Sequence, residues 1–434
     1  MILTSAVSGN PHNAISLIVT LAVERADSVA VRFGVESQHL DGLTASVKSA
    51  DGAATVPVLG LLPTTAYTLQ AVAWGQGEQL TGGQTLTFST GALPGDLPSY
   101  RAGGPAPSEG YVVFAAGLYG LVIDNDGRVV WYHRFEEGPG LNFQAQPNGR
   151  YVARPPPVHV TVPEPWIEID VLGNTTRRLY CVGDLQTRFH DMIALPDESY
   201  WILCDETRLM DLSALGGMAE AQVTGTVLQH VSPDGTLLFQ WSAFDHFEIT
   251  DLDPADRTGP AVNWTHGNAV DLDADGTILL SFRSLNEVTR IDGRTGMVLW
   301  RMGGLRNQFS FEGTGEPPFA HQHGLRLIGA NNLMVLDNLG EVAGSRAEKY
   351  VYDETTRTAR LVMSYESLPG IFARLGGTTQ NLPDGHTLVA FGNGRRVEEY
   401  DASGQAVWSI DQPGYVFRAQ RIRSLYQPGV DTPR

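Results

Sequence analysis

The stretch TQNLPDGHTLVAFGNGRRVEEYDASGQAVWSID, residues Thr379–Asp411, decides the fold. Its apolar runs are only a few residues long, and a PDG turn, a Gly-rich loop and an ASG turn separate them. This pattern predicts four short antiparallel strands, the last of which contains Trp408. Such a unit cannot bury its apolar faces alone, so we expect it to recur along the chain.

The unit does recur upstream. Further copies are assigned at residues 111–133, 143–180, 192–241, 268–304 and 325–366. The turns before their last strands lie at Gly127, Gly173, Gly235, Gly296, near Thr356 and at Gly404. Six units of four strands predict a six-bladed β-propeller over residues 98–434, in which the first unit begins with the strand at 111–116 and the tail YVFRAQRIRSLY (415–426) closes the ring. An irregular β-solenoid is the alternative, but two-turn units favour radial repetition.

Tryptophans mark the ends of the outer strands, and we expect them to pack between blades rather than to carry chemistry. They are Trp131, Trp241, Trp300 and Trp408.

Residues 1–97 read as a separate β-sandwich, so the whole chain is predicted to be all-β. Segments such as SLIVTLAV (16–23) and SVAVRFGV (28–35) predict short strands. The stretch from Leu61 to Leu69 is similar to the fibronectin type III pattern, in which the hydroxyl of a tyrosine, here Tyr67, bonds nearby backbone. Leu93–Pro98 is the predicted linker.

Composition excludes several classes of partner. The chain has 434 residues, with 30 Lys and Arg against 48 Asp and Glu, for a formal net charge of −18. Such a chain repels nucleic acid and anionic lipid, and it lacks the run of about 18 apolar residues that a membrane helix needs. The N-terminus, MILTSAVSGN, has no signal-peptide pattern, so we expect a cytoplasmic protein or a mature or trimmed form. Cys181 and Cys204 do not make a zinc site; they form one disulfide or remain two buried thiols.

Polar residues recur where the first strand of each repeat is predicted to begin. These equivalent positions define the candidate site. There the sequence has His190, His266, Asn268, His321, His323 and Thr378, with Arg154, Arg283, Asp337 or Asn338, and Arg395 or Arg396 at the ends of the second strands. These two places lie on one face of a propeller, so we expect the side chains to meet in one funnel. Arginine and imidazole donors hold tetrahedral oxyanions. A neutral histidine can also attack an electrophilic phosphorus or sulfur.

At these residues the chain resembles the bacterial arylsulfate sulfotransferase family. The resemblance spans residues 110–426 and is carried by FHDMIALPDESYWIL (189–203), HGNAVDLDADGTILLSFRSLNEV (266–288), HQHGLRL (321–327), TQNLPDGHTLVAFGNG (379–394) and the closing tail. It implies ping-pong transfer of a sulfuryl group from an aryl sulfate to a phenol, through a sulfohistidine and with neither a cofactor nor a nucleotide sulfate donor. It also implies a periplasmic enzyme, and fold-level analogy suggests that the sandwich could form a homodimer.

The resemblance also implies residue roles. The nucleophile maps to His323, with His321 as the competing register, and the catalytic set adds His190, His266 and Arg283. Substrate contacts map to Asn268, Thr378, His321 and, near the phenol, Tyr119. The rim position of Arg154 makes it a further substrate-binding candidate.

Two other classes of function stay open. His190, His266 and His323 could be three ligands of a metal-dependent lyase or hydrolase. The same residues could also bind anions in a propeller that catalyses nothing.

Overall fold

The computed structural model describes residues 1–35, 39–80, 82–136, 138–154, 164–315, 317–339, 344–430 and 432–434. Helices in these ranges are limited to α1 (Ala243–His246) and to 3₁₀ turns at Ser213–Leu215, Ile249–Asp251 and Pro254–Arg257. None of the described helices is long and apolar enough to cross a membrane. The predicted all-β class is therefore confirmed.

Two sheets face each other at the start of the chain. Their strands are β1 (Ile2–Asn10), β2 (Asn13–Val23), β3 (Ser28–Gly34), β4 (Gly42–Leu43), β5 (Val47–Lys48), β6 (Ala53–Val58), β7 (Ala66–Gly75), β8 (Glu78–Leu80) and β9 (Thr85–Ser89). One sheet has the order β1-β2-β6, and the other is built around the β3–β7 pair. Apolar residues such as Leu17, Val31 and Leu69 fill the space between them. The predicted tyrosine contact is present, since the Leu62 N–H donates to the Tyr67 hydroxyl at 2.9 Å.

The remaining described chain forms six sheets in succession. Sheet one contains β11 (Tyr111–Ala116), β12 (Tyr119–Ile123) and β13 (Val129–Arg134), together with β36 (Ala419–Ile422) from the far end of the chain. Sheet two contains β14 (Asn142–Ala145), β15 (Tyr151–Arg154), β16 (Trp166–Ile169) and β17 (Thr175–Leu179). Sheet three contains β18 (Gln186–Ala194), β19 (Tyr200–Met210), β20 (Ala221–Val231) and β21 (Leu237–Ser242), with β22 (Ala261–Asn263) parallel to β20.

Sheets four to six continue the pattern. Sheet four contains β23 (Gly267–Leu272), β24 (Thr277–Phe282), β25 (Glu287–Asp292) and β26 (Val298–Gly303). Sheet five contains β28 (His323–Leu327), β29 (Asn332–Asp337), β30 (Arg346–Asp353) and β31 (Thr358–Glu366), with β27 (Ser310–Glu312) beside β31. Sheet six contains β32 (Thr378–Asn381), β33 (Thr387–Ala390), β34 (Val397–Tyr400) and β35 (Ala406–Ile410), with β10 (Ala102–Gly103) beside β35.

One strand of each sheet lies against its counterparts in the neighbouring sheets. We call these the inner strands; in ring order they are β36, β14, β18, β23, β28 and β32. An inner strand pairs with its own sheet along one edge only, so the backbone groups of its other edge need partners. Side chains of the neighbouring inner strand provide them. Asn142 donates to the His190 carbonyl at 2.8 Å, and Asp191 accepts from the Val270 N–H at 3.2 Å.

The same type of contact closes the ring. Gln380 of β32 donates from Nε2 to the Arg421 carbonyl at 3.0 Å, and its Oε1 accepts from the Arg421 N–H at 2.6 Å. Gln420 of β36 then accepts from the Ala145 N–H of β14 at 3.0 Å. Amide side chains therefore join the last sheet to the first and the first to the second.

The C-terminal strand is the element that completes sheet one. β36 pairs antiparallel with β11, as the prediction that the tail closes the ring required. The expectation that residues 111–116 supply the first strand of that unit was wrong. β11 is the second strand of its sheet, because β36 occupies the inner position.

The outer tryptophans pack between sheets, as predicted. Trp131 of sheet one stacks on Tyr151 of sheet two at 4.6 Å between ring centres. Trp300 of sheet four meets Tyr352 of sheet five at 5.3 Å. These side chains fill the wedge between neighbouring sheets, where large flat rings cover the most area.

Of the two alternatives for the cysteines, the structure has the disulfide. Cys181 and Cys204 are bonded, with Cα atoms 6.1 Å apart. The bond ties the segment after β17 to β19, so it links sheet two to sheet three.

Gln380→Ala is expected to destabilise the ring by about 2 kcal/mol or more, since it leaves a buried N–H and a buried carbonyl of β36 without partners. Thermal and urea unfolding would measure the loss. The matched control is Gln405→Ala, whose side chain is exposed in the turn between β34 and β35 and whose removal should change stability by less than about 0.5 kcal/mol. Equal unfolding midpoints for the two variants would contradict the closure by Gln380.

Candidate active site

Three imidazole rings meet at one end of the ring of inner strands. His190 lies in β18, His266 directly precedes β23, and His323 is the first residue of β28. The Nε2 atoms of His190 and His266 are 3.2 Å apart, and the ring centres of His190 and His323 are 6.3 Å apart. We call these residues the histidine cluster. The sequence placed all three in one structural phase, and the structure brings them together.

Irregular backbone turns these side chains toward one another. His266 and His321 have left-handed backbone, with φ of 51° and 52°. β18 departs from regular pairing with β19 between Thr187 and Met192, so the residues around His190 leave the ladder. Gly324 follows His323 with φ of 59°, and a Cβ there would lie 2.6 Å from the Thr378 Cα. A side chain at this position would push sheets five and six apart.

His323 is held in one tautomer. Its Nδ1 lies 2.8 Å from the Asn338 Oδ1 and 3.1 Å from the His321 carbonyl. The Asn338 amide nitrogen donates to the carbonyls of Ala373 and Gly376, so its oxygen faces the imidazole as an acceptor. The proton of His323 therefore sits on Nδ1, and Nε2 carries the lone pair. Burial lowers the pKa of His323 to about 4, against the opposing effect of the Asn338 hydrogen bond.

His190 and His266 form a hydrogen-bonded pair. The Asn263 side chain lies 2.6 Å from Nδ1 of His266 and donates to it. The proton of His266 is then on Nε2 and points at Nε2 of His190, which leaves the His190 proton on Nδ1. That Nδ1 is buried and has no partner among the described residues. Burial holds the pKa of both residues well below the ordinary value, with the charge of Arg188 as the next cause.

Two guanidinium groups supply the positive charge. Arg283 follows β24, and its backbone N–H donates to the His266 carbonyl at 3.0 Å. The charge of its guanidinium lowers the pKa of His323 and of His321. Arg188 lies two residues before His190 in β18 and pairs with Asp205 at 2.8 Å. Sequence reasoning missed Arg188. The alternation of a strand could have found it, because residues two apart share a face.

The sequence that forms this site also matches a known protein family. The family model described as Arylsulfotransferase (ASST) matches residues 167–413, more than half of the chain. The chain belongs to the arylsulfotransferase family. The match includes His190, His266, Arg283 and His323. A search of curated proteins gives no match.

Solved structures similar to this arylsulfotransferase family member are distant. One is a protein of unknown function from Bacteroides caccae, with 12% identity, a TM-score of 0.47, and coverage of 73% of this chain and 100% of that one. Another is a streptogramin B lyase with 12% identity and a TM-score of 0.41, covering 72% and 84%. A third is a virginiamycin B lyase from Staphylococcus aureus with 9% identity and a TM-score of 0.40, covering 71% and 88%.

Other predicted site residues of this family member lie near the cluster. Asn268 donates to the Gln322 carbonyl at 2.6 Å, while its Oδ1 is buried without a described partner. His321 lies next to the cluster, and its backbone N–H donates to Oδ1 of Asn286 at 2.8 Å. Thr378 has its hydroxyl on the backbone of Ala419, so it also joins sheet six to sheet one.

Two predicted residues have partners outside the cluster. The Tyr119 hydroxyl donates to Asp96 in the linker at 2.6 Å, and Asp96 also pairs with Arg134 at 3.4 Å. Arg154 pairs with Glu164 at 2.6 Å. Both side chains bind carboxylates in this structure.

The three histidines do not form a metal-ligand set. Within the described ranges, no group of three or more His, Cys, Asp or Glu side chains is placed to hold a metal ion. The Nε2 atoms of His190 and His266, which would both be needed as ligands, are hydrogen-bonded to each other at 3.2 Å. The arrangement therefore fits an anion better than a dication, which the nearby arginines would repel.

We expect His323 to remain neutral and Nδ1-protonated down to a pH near 4, because its pKa is about 4. Nitrogen NMR of labelled histidine, titrated from neutral to acidic pH, would show this directly. Asn338→Asp should raise the titration midpoint of His323, since a carboxylate accepts the same hydrogen bond and adds negative charge. Asn338→Ala should weaken the preference for the Nδ1–H tautomer, because only the His321 carbonyl would then accept from Nδ1. An Nε2-protonated His323 in the unmodified protein would refute the assignment.

Proposed function

We propose that this protein transfers a sulfuryl group from an aryl sulfate ester to a phenol, through a sulfohistidine at His323 and without a nucleotide sulfate donor. The observation that carries the proposal is the state of His323. Its proton is held on Nδ1 by Asn338, its Nε2 is unprotonated, and it lies beside two neutral imidazoles and Arg283. Membership of the arylsulfotransferase family supports the same type of chemistry.

In the first half-reaction the Nε2 lone pair of His323 attacks sulfur. The N–S bond forms as the S–O bond to the aryl group breaks, and the aryl oxygen leaves with the bonding electrons and takes up a proton from solvent. Arg283 would hold the sulfuryl oxygens, and His190 and His266 would help by exchanging their mutual hydrogen bond for bonds to the substrate as charge develops. The Nδ1–H bond to Asn338 stabilises the cationic ring that forms when Nε2 is sulfated.

In the second half-reaction a phenol takes the place of the departed one. Its oxygen attacks sulfur, the N–S bond breaks, and the electron pair returns to Nε2. The phenol loses its proton to solvent, which balances the proton taken up in the first step. Because both half-reactions use one histidine, no cofactor is required.

We further propose that the chain is divided into two domains. Residues 1–97 would form a fibronectin III-like sandwich, and residues 98–434 a six-bladed propeller that carries the site. The six successive sheets, their touching inner strands and the pairing of β36 with β11 support this assignment.

The central test is a chromogenic aryl sulfate assay with and without added phenol. We expect the phenol to accelerate release of the chromophore and to become sulfated. His323→Ala should lower both half-reactions by a factor of about 1000 or more, as loss of a covalent nucleophile does. His12→Ala, at an exposed position outside the cluster, is the control and should keep full activity.

Other outcomes separate the alternatives. Full activity in His323→Ala would exclude this nucleophile, and loss of activity in His321→Ala alone would move the role to His321. Release that ignores the phenol would indicate a hydrolase. Stoichiometric zinc, manganese or iron with activity that depends on it would favour the metalloenzyme. Binding of sulfate without turnover would leave an anion-binding protein.

The pH dependence of the first half-reaction follows from the pKa of His323, which burial lowers to about 4. The reactive form is the deprotonated ring, which predominates above that pKa. The rate constant for chromophore release should therefore be independent of pH near neutrality and fall as the pH approaches 4. Stopped-flow measurement with a single aryl sulfate checks this. A rate that already falls between pH 7 and 6 would show that His323 is protonated more easily than its burial implies.

A further inference from the structure

Arg188 is a guanidinium next to the histidine cluster that the reaction above does not use. It lies in β18, two residues before His190, and its side chain is only 17% exposed. Its Nη1 pairs with the Asp205 Oδ2 at 2.8 Å, and the Asp205 side chain is 7% exposed. Its Nε and Nη2 are both buried and have no hydrogen-bond partner among the described residues.

The two unused nitrogens define a specific kind of site. In a guanidinium, the Nε–H and one Nη2–H lie on the same edge and point in parallel. That edge matches the two oxygens of a carboxylate or sulfonate. A buried donor costs free energy when it has no partner, so the free edge of Arg188 is available to an anionic ligand.

Arg188 and His323 belong to sheets that are separated by sheet four. Arg188 belongs to sheet three, Arg283 follows β24 in sheet four, and His323 begins sheet five. After burial, the charge of Arg188 is the main cause that lowers the pKa of His190 and of His266, while the charge of Arg283 lowers the pKa of all three cluster histidines. The reaction above assigns Arg283 to the sulfuryl group, which leaves Arg188 available for another part of the donor.

Two aromatic rings lie near His190 and Arg188. Phe189 stacks on His190 at 4.1 Å between ring centres and meets the Phe417 ring edge-on at 5.9 Å. The Arg188 guanidinium carbon is 5.9 Å from the centre of the Phe189 ring. An aryl group held against Phe189 would carry its substituents toward Arg188.

We propose that Arg188 forms a second anion site, and that the preferred sulfate donors are aryl sulfates with an additional acidic group on the ring, such as a carboxylate or sulfonate. This inference rests on the proposed sulfuryl transfer and names the class of sulfate donor for it. Asp205 sets the strength of the second site, because its carboxylate already offsets part of the charge of Arg188.

The test compares 4-nitrophenyl sulfate with its ring-carboxylated counterpart. Dissociation constants are measured by calorimetry in a His323→Ala background, so that neither sulfate is consumed. We expect the carboxylated sulfate to bind about tenfold more tightly or better, as a charge-assisted hydrogen-bonded pair allows. Arg188→Gln should remove this preference, and Arg188→Lys should retain part of it, because lysine keeps the charge but not the two parallel donors.

Asp205→Asn provides a change in the opposite direction. The amide oxygen still accepts from Nη1 while the negative charge is lost, so the preference for the carboxylated sulfate should increase. Arg294→Gln, at an exposed turn between β25 and β26, is the matched control and should leave the preference unchanged. Should Arg188→Gln fail to fold, the lysine and Asp205→Asn variants still decide the question.

An unchanged preference in Arg188→Gln would overturn the second site. So would an equal loss of affinity for both sulfates, which would make Arg188 part of the sulfuryl site. The same two sulfates in the unmodified protein test turnover separately. If the affinities depend on Arg188 but no transfer occurs, the anion site stands and the transferase proposal fails. If transfer occurs but the affinities do not depend on Arg188, the transferase proposal stands and the second anion site fails.

Discussion

The inner strands are open on one edge, and the rest of the structure depends on how that edge is satisfied. Each inner strand pairs with its own sheet on one side and presents unpaired N–H and C=O groups on the other. Buried away from water, such groups are costly unless a side chain reaches them. Asn142, Asp191 and Gln380 do so from the neighbouring inner strand, at 2.6–3.2 Å. Much of the polarity at the centre of the molecule therefore stabilises the fold, and the candidate site lies at the ends where the strands begin.

Charge at the centre is arranged in two levels. On inner strand β18, Asp191 is surrounded by Arg326 at 3.2 Å, Arg418 at 3.4 Å and Arg434 at 2.9 Å. Arg418 also donates to the His190 carbonyl at 3.2 Å, so this ionic group fixes the backbone that carries His190. Around the imidazoles themselves, burial and the nearby arginines disfavour protonation of histidine. A protein with a net charge of −18 thus has a local site that attracts anions through arginine and keeps its histidines neutral.

Sequence alone predicted the features that local rules determine. The turn-and-strand pattern predicted the four strands of sheet six from residues close in the chain. The equivalent positions of His190, His266 and His323 in successive repeats predicted the cluster. The inner position of β36 could not be read this way, since it requires pairing between the two ends of the ring. Arg188 was missed because only the residues at the predicted start of each first strand were taken as candidates, whereas β18 begins earlier, at Gln186. Tyr119 was expected near the phenol, but Asp96, its partner, lies in the linker, and sequence spacing does not predict that contact.

The tautomer of His323 shows how the architecture reaches the chemistry. Asn338 can present its oxygen to the imidazole only because its nitrogen is used by the carbonyls of Ala373 and Gly376, in the segment that leads into β32. The same region is fixed to sheet five by Thr379, whose hydroxyl donates to the Gly324 carbonyl at 2.8 Å. Asn338 itself follows β29 of sheet five, so the orientation of one ring is set jointly by two sheets. The contacts between neighbouring sheets therefore do more than close the ring. They decide which nitrogen of His323 carries its proton and leave the other free to react.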